Sequence, residues 1–175
     1  MIDFLKARGK ALILAAAALF AYFWFAVWPA EIQVANRQAD LIDAIARRDT
    51  RDLHSLLAPA YSDRWGFGAD AAAQAFRDVT RQFDQLTISY TPVTSSVDAS
   101  TAVVTGHLRI AGSGPAFAAT IVKQAARLGE PFTFEWRKTS WTPWSWRVFS
   151  IDQPELEVPA GYVPGDWGST LTNQF

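Results

Sequence analysis

Leu86-Thr87-Ile88-Ser89-Tyr90-Thr91 is the point at which the chain changes period. Apolar and polar residues alternate across it, which predicts a strand with one face buried. Upstream the repeat is helical. Ala72, Phe76, Val79 and Phe83 fall on one face of a helix over residues 69–83, with Asp70, Arg77, Asp78 and Arg81 turned away. Before it, Tyr61-Ser62-Asp63-Arg64-Trp65-Gly66-Phe67-Gly68 reads as a loop with two glycines. Pro59 ends a short helix carrying Leu53, Leu56 and Leu57, for which Asp49 and Thr50 offer a cap. Residues 32–48 repeat their apolar positions at helical spacing.

Downstream the strands continue. Asp98-Ala99-Ser100 is a turn, Thr101 to Ala111 a long strand, and Gly112-Ser113-Gly114-Pro115 a second turn. Residues 116–128 are open to two readings, β-rich at Thr120-Ile121-Val122 and helical from Lys123 to Leu128. Phe132-Thr133-Phe134-Glu135-Trp136-Arg137-Lys138 alternates cleanly, and Ser145 to Asp152 follows a tryptophan-rich turn as the last strand. Glu135, Arg137 and Arg147 share one alternating face, where a cross-strand ion pair is expected. Helices followed by an antiparallel meander make an α+β plan.

At the other end, Ala11 to Trp28 is a run of 18 apolar or aromatic residues. A helix of that length, begun slightly earlier, spans about 30 Å, enough for a hydrocarbon core. Lys6, Arg8 and Lys10 precede it, and Trp24 and Trp28 lie in its aromatic second half, as in an interfacial belt. The expectation is a single transmembrane anchor in a bacterial inner membrane, with the N-terminus cytoplasmic and residues from about 31 periplasmic. A cleaved signal peptide is the competing reading, opposed by Trp28 and Pro29 where small residues are wanted. The domain boundaries expected are 1–30 for the anchor, 31–153 for the domain and 154–175 for an extended tail.

Composition narrows the function classes. The 175-residue chain is 50% hydrophobic with a net charge of −1, no cysteine and two histidines. Thiol chemistry and cysteine-zinc sites are excluded, and nothing suggests nucleic acid as a partner. No Asp/Glu/His cluster has metal-ligand spacing. There is no Gly-rich phosphate loop and no G-x-S-x-G turn, so neither cofactor nor metal is expected.

With three N-terminal helices, a Tyr61-Ser62-Asp63 stretch after Leu56-Leu57, and the paired ending Phe132–Lys138 with Trp146-Arg147-Val148 and Ile151-Asp152, residues 32–152 resemble the nuclear transport factor 2-like (SnoaL-like) superfamily. The resemblance implies a cone of helices on a curved antiparallel sheet, whose open end can hold a small apolar molecule. Some members are dehydratases, cyclases or isomerases with an Asp, His or Tyr in the cone. Others are adaptors or assembly subunits, among them an inner-membrane component of type IV secretion systems that joins one span to this fold.

The candidate catalytic residues are therefore Tyr61 and Asp63 at the expected cone mouth and His107 on the long strand. Burial against Trp65 would raise the pKa of Asp63 and suit it to act as a base. Pairing with Arg64 or capping is the structural alternative, as a surface position is for His107. His54 is expected on a solvated helix face. Trp24, Trp28, Trp141, Trp144, Tyr162, Trp167 and Phe175 are the candidate partner contacts, against the lipid bilayer or other membrane-protein subunits. Trp141 and Trp144 can equally fold back over the sheet edge. The tail, too apolar for a solvated one, either lies along the domain or reaches to a neighbour. Two functions follow: a non-catalytic accessory or assembly subunit of a membrane complex, or a cone that binds or transforms a small apolar ligand.

Overall fold

A computed structural model describes residues 2–22, 24, 29–159 and 161–166, with the backbone alone described for residues 2–11. The described elements run α1 (Ile2–Tyr22), α2 (Ala30–Ala46), α3 (Thr50–Leu56), α4 (Ala69–Thr80), β1 (Gln85–Asp98), β2 (Thr101–Ser113), α5 (Ala116–Ala125), β3 (Phe132–Lys138) and β4 (Trp146–Asp152). The architecture is α+β. The four strands form one antiparallel sheet in the order β1-β2-β3-β4.

The expected membrane span is overturned. No described helix is long and apolar enough to cross a membrane. α1 begins at Ile2 and so takes in Lys6, Arg8 and Lys10, and it ends at Tyr22. Its uncharged stretch is the 12 residues from Ala11 to Tyr22, about 18 Å of helix against a core of about 30 Å. The inner-membrane location, the single-pass topology and the periplasmic assignment all rested on that span and fall with it. Nothing among the described residues then supports an assembly subunit anchored in the bilayer. Trp24 stacks on Phe20 at 5.9 Å. Trp28, Trp167 and Phe175 lie outside the described residues.

α2 buries Gln33, Val34, Gln38, Leu41 and Ala44 along one stripe. Its two buried glutamines complete the core, because each answers an indole N–H that the sheet buries. Trp146 Nε1 donates to Gln33 Oε1 at 3.0 Å and Trp136 Nε1 to Gln38 Oε1 at 2.9 Å. Trp136, Trp146, Phe134, Leu41, Val34 and Val148 are the fully buried centre around these pairs. Asp49 caps α3 through the backbone N–H groups of Arg51 and Asp52.

Of the ambiguous residues 116–128, Ala116–Ala125 form the helix α5, contacting β2. β1 continues through Pro92-Val93-Thr94-Ser95-Ser96, where the alternation is lost, because β2 supplies its partners on both sides of a bulge between Pro92 and Thr94. The tail lies along the domain as far as it is described. Gln153 is fully buried, with Nε2 donating to the Glu130 carbonyl and Oε1 accepting from the backbone N–H of Glu155 and Leu156. Tyr162 OH and Gly165 N both donate to Asp78 Oδ2 at 2.8 Å.

Candidate functional site

Between α4, β1, β2 and the end of α5 the fold leaves an apolar cavity of about 170 Å³. α4 contributes Phe76, Val79 and Thr80, with Phe83 just beyond it. β1 and β2 contribute Leu86, Ile88, Leu108 and Ile110, while Ala125 and Leu128 close it from the α5 side. These positions come together because the helical face of α4 and the inward faces of two alternating strands are apolar at matching heights. Thr80 is the one polar side chain in the lining. Its hydroxyl is committed to the helix, donating to the carbonyls of Phe76 at 2.9 Å and Arg77 at 3.2 Å. The inner part of the cone is filled by Phe134 and Trp136.

A second depression, about 700 Å³, runs between α2 and β1 and is lined by Ala35, Ala39, Ile42, Tyr90, Val93 and others. It is the larger, but it is a furrow open to solvent. Ligands of drug size are held in sites that bury most of their surface, so the smaller, better-enclosed cavity is the stronger candidate.

The sequence-predicted catalytic residues are elsewhere. The Tyr61 hydroxyl donates to Asp63 Oδ2 at 3.3 Å, and Asp63 Oδ1 accepts from the backbone N–H of Trp65 at 3.0 Å and Phe67 at 2.9 Å. Asp63 thereby folds its own loop around Gly66, whose φ of +82° suits glycine. Burial pushes the Asp63 carboxyl up, against the pull of those N–H donors. Burial also drives Tyr61 far above the usual phenol range, helped by the charge of Asp63. Neither side chain lines the cavity. Arg64 pairs with Asp152 at 3.3 Å instead. His107 is half-buried opposite Thr91. It alternates with Leu108, a cavity residue, so its ring is on the other face of the sheet.

One juxtaposition escaped sequence reasoning. His54 Nε2 lies 2.8 Å from Asp70 Oδ1. The two are 16 residues apart across a loop, and no spacing rule links the end of one helix to the start of the next. Both side chains stand in solvent, at 48% and 90% exposure, which suits an α3–α4 surface tie. Among the described residues no three metal-ligating side chains converge.

No family model matches the chain, and no curated protein matches it. Solved structures do. A Streptomyces avermitilis protein, provisionally assigned as a dehydratase of the nuclear transport factor 2-like family, superposes with a TM-score of 0.51 at 21% identity, over 68% of this chain and 90% of its own. The chain has the nuclear transport factor 2-like fold. A Novosphingobium aromaticivorans protein, provisionally assigned as an aromatic ring hydroxylase, is similar at a TM-score of 0.51 and 12% identity, over 74% of this chain and 90% of that one. The Bdellovibrio bacteriovorus protein Bd1075 is similar at 0.54 and 6% identity, over 72% of this chain. The match spans 40% of Bd1075. At these identities the nuclear transport factor 2-like likeness is one of fold alone.

Proposed function

We propose that the chain binds a small, uncharged apolar molecule in the cavity between α4, β1, β2 and α5, and performs no chemistry on it. The observation that carries the reading is the lining: eleven of its twelve side chains are hydrocarbon or aromatic, and the Thr80 hydroxyl is already bonded. Acid–base catalysis of the dehydratase kind needs a titratable group within hydrogen-bond reach of the substrate. Tyr61, Asp63 and His107 are not in the wall. The solved dehydratase and hydroxylase relatives support a cone that accepts small molecules, and this lining supports binding alone. An apolar cavity on the order of 150 Å³ stays dry and takes up benzene in another protein, so toluene is a fitting probe.

Toluene at a hundredfold excess over its dissociation constant should stabilise the fold by about 2.7 kcal/mol, read as a rise in Tm. Leu108→Trp, which fills the cavity, should remove the rise. A Tm that does not respond to toluene, or that responds equally in the filled variant, contradicts the reading.

A further inference from the structure

The turn between β3 and β4 holds two indoles in solvent on a rigid frame. Trp141 is 76% exposed and Trp144 60%. Below them Ser145 Oγ donates to the carbonyls of Ser140 and Thr142, both at 2.7 Å, and Thr139 Oγ1 donates to the Ser145 carbonyl at 2.7 Å. Such bonds fix the turn before any partner arrives, so little ordering entropy is left for binding to overcome. Rigid, exposed tryptophans are typical anchors of protein interfaces.

Two guanidiniums, Arg37 and Arg147, meet beside them, and a third, Arg137, lies in the neighbouring strand with its guanidinium over the Phe149 ring at 4.5 Å. The hairpin register sets Arg137 directly opposite Arg147, an unfavourable like-charge pair. Arg37 reaches across from α2. Its Nη2 donates to the Trp144 carbonyl at 2.9 Å, and Arg147 Nη1 donates to that same carbonyl at 3.1 Å. Among the described residues a single carboxylate serves the three: Asp40, on Arg37 at 2.9 Å. Glu135, expected to pair across the hairpin, stands opposite Ser150, and no ion pair joins it to Arg137 or Arg147. Arg37 Nε is buried with no hydrogen-bond partner. Burial, and after it the charge of Arg37, lowers the pKa of Arg147.

One carboxylate among three guanidiniums leaves this corner with an excess of positive charge, in a chain whose net charge is −1, and that excess suits an outside anion. We propose that Arg37, Arg137, Arg147, Trp141 and Trp144 form a docking surface for an acidic segment of a protein partner. Carboxylates of that segment would meet the guanidinium forks, a geometry that arginine matches in bidentate fashion and that Asp40 already uses on Arg37. Its apolar side chains would lie on the indoles. Nucleic acid fits less well, because three cations on a net-negative chain offer few phosphate contacts.

The test titrates the full chain at low salt with a random Glu/Tyr copolymer, read by tryptophan fluorescence, alongside poly(U) and phosphatidylglycerol vesicles. Saturable binding of the copolymer is expected, weakened at least tenfold by Arg137→Glu and severalfold by Trp141→Ala or Trp144→Ala. Arg137 is exposed and its guanidinium contacts only the outward face of Phe149, so its variant keeps the test valid where Arg147→Gln fails to fold. Three results would overturn the inference. One is no saturable copolymer binding, another is binding indifferent to Arg137→Glu, and the third is Arg137-dependent binding of poly(U) or vesicles but not of the copolymer.

Discussion

Gln38 shows what single residues contribute here. Its side chain is 5% exposed on the core stripe of α2, and its carbonyl oxygen is the partner of the Trp136 indole. Leucine in its place would fill similar space and leave the buried indole N–H unbonded, a loss of about 1–3 kcal/mol, offset in part because Gln38 Nε2, itself buried without a hydrogen-bond partner, goes with the amide. Chemical denaturation of Gln38→Leu should show that loss, and pairing it with Trp136→Phe should recover part of it. A cost that the double variant does not reduce would mean the indole bond is not the cause. Asp63 acts with the opposite sign. Its folded pKa is raised, mainly by burial, so its contribution to stability is greatest at acid pH and is lost as pH rises through that raised value. Asp63→Asn keeps the acceptor for Trp65 and Phe67 and carries no charge. The gap in Tm between variant and wild type should therefore move in the variant's favour from pH 4 to pH 7. A constant gap would show that Asp63 does not titrate with folding.

At the scale of elements, much of the fold was legible, because period is a local property. The stripe of α4, the alternation of β3 and the Asp49 cap are each written in a few consecutive residues. Residues 92–96 were not legible as strand, since Pro92 and the run of small polar residues after it carry no alternation. Pairing with β2 decides them. The apolar run from Ala11 to Trp28 misled because a run ignores where helices start. α1 begins at Ile2 and takes in three basic residues, and no described helix is long and apolar enough to cross a membrane. The cavity wall was half legible: Phe76 and Phe83 were recognisable as inward-facing, whereas α5 over the cavity was not. The end of β2 supports that wall through close approach. A Cβ on Gly112 would stand 2.5 Å from the Gln85 carbonyl oxygen and 2.8 Å from the Phe83 ring. Gly112→Ala should cost about 1–3 kcal/mol by overpacking. Hydrogen exchange should show the loosening concentrated in β1, β2 and α5. Unchanged stability would mean that the strands separate there without cost.

For the whole molecule, the design is a filled cone with an apolar mouth. Trp136, Trp146 and Phe134 fill the interior, and the described tail braces the outside. Asp78, between cavity residues Phe76 and Val79 in sequence but on the opposite face of α4, anchors that tail through Tyr162 and Gly165. Asp78→Ala should therefore speed exchange of the Gly165 amide and leave the cavity's affinity for toluene within about twofold, since the two kcal-scale bonds that are lost lie on the face of α4 turned away from the wall. Loss of toluene binding in that variant would show that the tail and the cavity are coupled. The two functions expected of the sequence also separate at this scale. Both needed features that only tertiary structure reveals, one a membrane span and the other a cavity in the cone, and among the described residues there is an apolar cavity of about 170 Å³.

The central claim is that this cavity holds a small apolar molecule, and methyl-resolved NMR during a toluene titration tests it most directly. Saturable shifts confined to Val79, Leu86, Ile88, Leu108, Ile110 and Leu128 are the predicted result. Shifts that never saturate, or that appear instead at Ala35, Ala39 and Val93 in the open furrow, would contradict it.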